Sequence, residues 1–157
     1  MAYNLVAAGA NLQQNFSGKV VFLGGRCRGR DWRPELLHAF TEQNVTFITP
    51  VRSNFPDPES QPEEHANVVR WERDAIDRAD IIVFWLGEGL SNQAARVEIG
   101  FAIGRGKHVL IGAEETFLGL EHLSSFAGVV LSSSVQGLCK RLESLLQAVD
   151  APKQELA

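Results

Sequence analysis

From Lys19 onward, short runs of apolar residues alternate with stretches in which apolar positions recur at helical spacing. VVFLGG (20–25) reads as a buried strand that ends in glycines. WRPELLHAFTEQN follows with Leu36, Leu37 and Phe40 on one helical face, and VTFITPV is a second strand stopped by Pro50. RSNFPDPESQPEE holds three prolines among polar residues and is a loop, the longest inside the domain. ANVVRWERDAIDRA is helical, with Val68, Val69, Trp71, Ala75 and Ile76 as its apolar positions. DIIVFWLG (80–87) is a continuous apolar run, the pattern of a strand at the centre of a parallel sheet. A helix capped by Ser91 or Asn92 comes next, then strands in KHVLIGA and GVVLSS, and an amphipathic helix in SVQGLCKRLESLLQAV.

This alternation predicts an α/β fold, a three-layer sandwich around a five-stranded parallel sheet. The domain spans 19–150, preceded by an arm (1–18) that is either irregular or an extra edge strand and followed by a frayed tail (151–157). Open α/β sheets bind ligands beyond the carboxyl ends of their strands, at the switch in strand order. The segments to search are therefore GGRCRGRD, PVRSNFPD, WLGEGLSN and GAEETF.

Composition narrows the partners. A net charge of −4 over 157 residues leaves no basic surplus for a nucleic-acid polymer, although local arginine clusters still suit a small anion. The two cysteines, Cys27 and Cys139, form no CxxC pair, so neither a disulfide framework nor a zinc site is expected and a reducing cytoplasm is the default. MAYNLVAAGANLQQ lacks the basic start and apolar length of a signal peptide, and no run is long enough to span a membrane.

One residue disturbs the hydrophobic pattern. Glu98 sits in SNQAARVEIGFAIGRG with Ala94, Ala95, Phe101 and Ala102 one helical turn away and Val97 and Ile99 beside it. An ionised side chain in such company has a partner or a task. The partner would be Arg26, Arg96 or Arg105. The task would be chemistry with a second carboxyl, because two carboxyls flanking a small pocket can break a glycosidic bond. WERDAIDRAD offers Glu72, Asp74, Asp77 and Asp80, most of them surface charges paired with Arg73 or Arg78.

GGRCRGRDWR places three glycines and four arginines just past the first strand, a loop that can approach an anion or remain a solvated turn. Trp85, at the end of the central strand, either stacks on a base or belongs to the core, and Phe55 is the better lid over a base. His38, His65, His108 and His122 have no metal-ligand spacing, and Cys27 has no sequence-neighbouring histidine to make it a nucleophile. Ser124 and Ser125 read as a helix cap.

With these motifs in view, the sequence resembles the nucleoside 2-deoxyribosyltransferases and the related 2′-deoxynucleoside 5′-monophosphate N-glycosidases. VFLGGRCRG resembles their first strand and glycine loop, WERDAIDRADIIVFWL their acidic helix and central strand, and VEIGFAIGRGKHVLIG their Glu-Leu-Gly-x-Ala segment with the strand after it. The resemblance implies a flavodoxin-like fold and a reaction at an N-glycosidic bond, by hydrolysis or base exchange, with no metal and no organic cofactor. It makes Glu98 the nucleophile and Glu72 the assisting acid, with Asp74 the alternative in another register. Gly24, Gly25, Arg26 and Arg28 match the loop around the sugar and 5′-phosphate, with Phe55, Trp85, Gly87 and Asn92 at the remaining strand ends. Ser124 is the nearest match to the polar residue that a neighbouring subunit lends in a homo-oligomer. Arg26 stands where many relatives have serine, no tyrosine follows the first strand, and GLSNQAAR lacks the second aspartate of the transferase branch. Arg26, Arg28 and Arg30 suit an anionic ligand better than a neutral nucleoside, which favours a phosphorylated or otherwise modified substrate over base exchange between free nucleosides. A nucleotide-binding or sensing module without turnover is the alternative.

Overall fold

The computed structural model describes residues 3–25, 27–87 and 92–150. Six strands form one sheet: β1 (Asn4–Val6), β2 (Lys19–Gly25), β3 (Val45–Ile48), β4 (Ile81–Leu86), β5 (His108–Ala113) and β6 (Leu131–Ser132). Their order is β1-β3-β2-β4-β5-β6, and every neighbouring pair is parallel. The last five strands have the flavodoxin-like order, with its switch point between β2 and β4. The sixth strand is the correction to the five expected: the arm supplies β1, paired along β3 from Asn4 opposite Thr46 to Val6 opposite Ile48.

Among the described residues five helices cover the two faces: α1 (Arg33–His38), α2 (Pro62–Arg78), α3 (Gln93–Gly104), α4 (Leu120–Ala127) and α5 (Val135–Asp150). Alternate strand residues face opposite ways, which divides the core in two. Phe22, Ile82, Phe84 and Ile111 pack with Ile76 of α2 and Ile99 and Ala102 of α3. Leu23, Val83 and Trp85 pack on the other face with Leu36 of α1 and Leu138 and Leu142 of α5. With both faces covered, all six residues of β4 are buried, which explains its unbroken apolar run.

Several boundaries differ from the sequence reading. α1 stops at His38 because the chain then turns toward β3, yet Phe40 stays in the core. α2 starts four residues before Ala66, where Pro62 occupies the first turn without wasting a donor and Glu63 and Glu64 favour the positive end of the helix dipole. α4 is an additional helix: LEHLSSFA is helical throughout instead of marking a cap, bounded by Gly119 and Gly128 in left-handed conformations. None of its residues is fully buried, but Leu120 and Leu123 rest partly buried against the core, a short apolar stripe at helical spacing. β6 shrinks to two residues of the expected GVVLSS.

Candidate active site

The strand ends meet the helices at a cavity of about 470 Å³ beside the switch point. Its floor comes from the end of β2 and the residues after it, Gly25, Cys27 and Arg28. One wall is a single face of α2: His65, Val68, Val69 and Glu72. The opposite side is the start of α3, from Asn92 through Ala95, with Glu98 one turn further on. Pro50, Phe55, Pro56 and Pro58 of the β3–α2 connection close it as a mostly apolar rim. A cavity of about 510 Å³ at the other end of the sheet, around Gly18, Asn44 and Asp80, is slightly larger. There Asp80 accepts a hydrogen bond from the Val20 N–H at 2.8 Å, a structural task, and the paired carboxyls lie in the first cavity.

Local backbone geometry aims the site. Gly25 has φ +93, and a Cβ there would sit 2.2 Å from the Trp85 carbonyl oxygen, so only glycine lets β2 turn upward against β4. Asn92 precedes α3 with φ +46, and its Nδ2 donates to the Gly87 carbonyl at 3.2 Å, fixing the helix start to the end of β4. α3 buries Ala95, Ile99 and Ala102; Glu98 lies at the edge of that stripe, half-buried and facing the cavity.

Burial dominates the electrostatics. It pushes the Glu98 carboxyl up to about 7; the negative charge of Glu72 adds to the rise, and the Arg33 guanidinium opposes it. Burial also raises Glu72, against the attraction of Arg52 and His65. The Cys27 thiol is raised by burial too, despite Arg33. Arg33 is fixed beneath the cavity floor. Its Nε donates to the Leu23 carbonyl at 2.9 Å, Nη1 to Asp31 at 2.9 Å and Nη2 to the Cys27 sulfur at 3.4 Å. Of the arginines considered as partners of Glu98, Arg105 binds Asp77 in a two-pronged pair at 2.7 and 3.0 Å, and Arg96 donates to the Leu118 carbonyl at 2.5 Å. Arg26 lies outside the described residues.

The cavity brings together Glu98, Glu72, Gly25, Arg28, Phe55 and Asn92. It leaves out five other candidates. Asp74 is exposed elsewhere on α2. Gly24 makes room for aromatic rings, since a Cβ there would lie 2.5 Å from Phe84. Trp85 is buried on the opposite face of the sheet, over Gly112. Gly87 is buried and contributes its carbonyl to Asn92. Ser124 donates to the Val129 carbonyl at 2.9 Å, closing the turn after α4. Sequence reasoning passed over Cys27, Gln93 and His65 as site residues; the spacing of His65, Val68, Val69 and Glu72 was the signal for the last of these. Among the described residues no group of three His, Cys, Asp or Glu side chains is arranged to hold a metal, and no helix is long and apolar enough to cross a membrane.

Fold and site together define a flavodoxin-like α/β domain with two carboxyls in a cavity at the strand ends. The family model described as "Nucleoside 2-deoxyribosyltransferase like" matches residues 18–117, and the chain belongs to that family. The matched segment contains Gly25, Glu72 and Glu98. Among solved structures the chain resembles the CMP N-glycosidase BcmB of Clostridium botulinum, with 17% identity and a TM-score of 0.51 over 81% of this chain and 99% of that one. It also resembles a conserved protein from Enterococcus faecalis V583, with 14% identity and a TM-score of 0.50 over 83% of this chain and 96% of that one. No curated protein matches the sequence. At such identities the structural likeness establishes the fold, while family membership supports cleavage or transfer at an N-glycosidic bond as the general chemistry.

Proposed function

We propose that this protein cleaves or exchanges the N-glycosidic bond of a 2′-deoxynucleoside or its 5′-monophosphate, with Glu98 as nucleophile. What carries the reading is the meeting of two half-buried carboxyls, from α2 and α3, in one apolar-rimmed cavity at the strand ends. Ionised Glu98 attacks C1′ as the C1′–N bond breaks. The departing base keeps the bond electrons and takes a proton from the Glu72 carboxyl. The resulting deoxyribosyl ester on Glu98 is opened by water, or by a second base, whose proton returns to Glu72. Two attacks at C1′ retain its configuration.

The electrostatics set the condition for this division. Two neighbouring carboxyls in a poorly solvated cavity resist carrying two charges, and the rise of Glu98 to about 7 beside a charged Glu72 favours the resting proton on Glu98. The reacting form carries that proton on Glu72 instead, which relieves Glu98 of repulsion and leaves it free to attack. Arg28, exposed at the floor, offers a cation to a 5′-phosphate. The reading includes a second copy completing the site: Leu118, Phe126 and Val130 leave apolar surface on and around α4, the helix that carries Ser124.

The test follows base release by chromatography from the four 2′-deoxynucleosides and their 5′-monophosphates. Each is run with and without a free acceptor base, in the wild type and Glu98→Gln. Release that the substitution abolishes, with a deoxyribosyl adduct on wild-type peptide containing Glu98, is the expected result. Tight nucleotide binding without release by either folded protein would overturn it in favour of a binding module.

A further inference from the structure

We propose that His65 reads the far edge of the departing base and so sets which base the enzyme releases. The inference rests on the glycosidic reading above and adds a specificity-determining residue to it.

The four cavity residues of α2 form a graded strip. Glu72 is at one end, His65 at the other, and Val68 and Val69 lie between. Seven residues at helical rise separate the two polar groups by about 10 Å along the axis. The middle of the strip is apolar and open. Val69 is 48% exposed, and Phe55, which also lines the cavity, is 46% exposed. Large apolar side chains left open inside a cavity fit a flat, weakly solvated ligand body. With C1′ at the carboxyls, a base extending along Val68 and Val69 directs its far edge toward His65.

The imidazole is available for that contact. His65 is half-buried, and its main-chain N–H donates to the Gln61 carbonyl at 3.0 Å. Among the described residues its ring makes no hydrogen bond. An imidazole always offers an N–H donor and, when neutral, an acceptor nitrogen as well, so it can meet the exocyclic oxygen of a base or its exocyclic amine. Arg28, the arginine among the described lining residues, lies at the β2 end of the floor, which assigns the anionic end of the ligand there and leaves the uncharged base to the His65 end.

The test compares wild type, His65→Ala and His65→Gln. Their kcat/KM is measured on the four 2′-deoxynucleoside 5′-monophosphates, on the corresponding nucleosides, and on 3,5-difluorophenyl 2-deoxyriboside 5-phosphate. The last leaving group presents no hydrogen-bonding edge. His65→Ala is expected to lower kcat/KM on the favoured base by about tenfold, the loss of one hydrogen bond, and to narrow the spread among bases by the same factor. The difluorophenyl substrate should change by less than about twofold, and Gln should restore part of the preference. An equal loss on every substrate, the difluorophenyl one included, would overturn the proposal, as would a loss confined to the 5′-monophosphates and equal for all bases. Calorimetry of the free bases on Glu98→Gln, with and without His65→Ala, separates the two readings. Folded wild type that turns over no substrate defeats the glycosidic reading. Base-dependent affinity that His65→Ala levels out supports the contact, and affinity indifferent to His65 refutes it.

Discussion

Replacing Glu98 by glutamine should make the protein more stable, and only above a particular pH. The carboxyl titrates at about 7 in the folded protein against 4.5 ordinarily, a difference equivalent to roughly 3 kcal/mol. Its origin is first burial and then the Glu72 charge. Between pH 4.5 and 7 the folded chain holds this proton more tightly than the unfolded chain. The ionisation of Glu98 therefore costs stability progressively as pH rises through that window, and the full cost applies above it. Glutamine keeps the shape without the charge. The stability difference between Glu98→Gln and wild type should be near zero at pH 4.5, grow through pH 6, and reach up to about 3 kcal/mol in favour of the variant at pH 8. Urea unfolding at matched protein concentration over that range measures it, because the other titrating groups are common to both proteins and largely cancel. A difference that stays flat with pH would refute the reasoning. So would one that favours the wild type more as pH rises, because Glu98 would then have a cationic partner.

Glu72→Gln should lower kcat and also move the acid limb of kcat/KM downward, by on the order of one pH unit, because Glu98 loses a negative neighbour; a limb that stays put would show that the two carboxyls do not interact. Gly25→Ala should cost about 3 kcal/mol or more in thermal or urea unfolding, since alanine would be forced into φ +93 against the Trp85 carbonyl. Asp74→Asn, exposed and off the cavity, should leave stability within about 0.5 kcal/mol and base release unchanged, which separates it from Glu72 in the same assays. Phe55→Ala should raise KM with little effect on unfolding, as its half-exposed ring covers the cavity without belonging to the core.

The strands were legible because burial on both faces leaves uninterrupted apolar runs, as in DIIVFWLG. Glu98 was legible because it breaks such a pattern. What escaped had weak or displaced signals. Helix α4 carries only a short stripe, Leu120 and Leu123, and buries neither fully. β1 is three residues long and half exposed along its edge, and its pairing with β3 joins positions some forty residues apart. The choice between Glu72 and Asp74 depends on helix register, which periodicity resolves only when the buried face is known. Trp85 shows the complementary difficulty: its place at a strand end fits a ligand contact, but strand alternation turns it to the face opposite the cavity.

Residues 1–17 of the arm lie outside the segment matched by the family model, yet they reach the wall of the cavity from behind. Past β1, the Ala10 carbonyl accepts a hydrogen bond from Trp71 Nε1 at 2.9 Å, next in sequence to Glu72. The Arg52 guanidinium stacks on the Trp71 ring at 5.3 Å, and its charge draws Glu72 toward ionisation. Sequence change in the arm can therefore shift α2, and with it the proton balance of the carboxyl pair, while every side chain that faces the substrate stays the same. The arm thus bears on the carboxyl pair without lining the cavity that holds it.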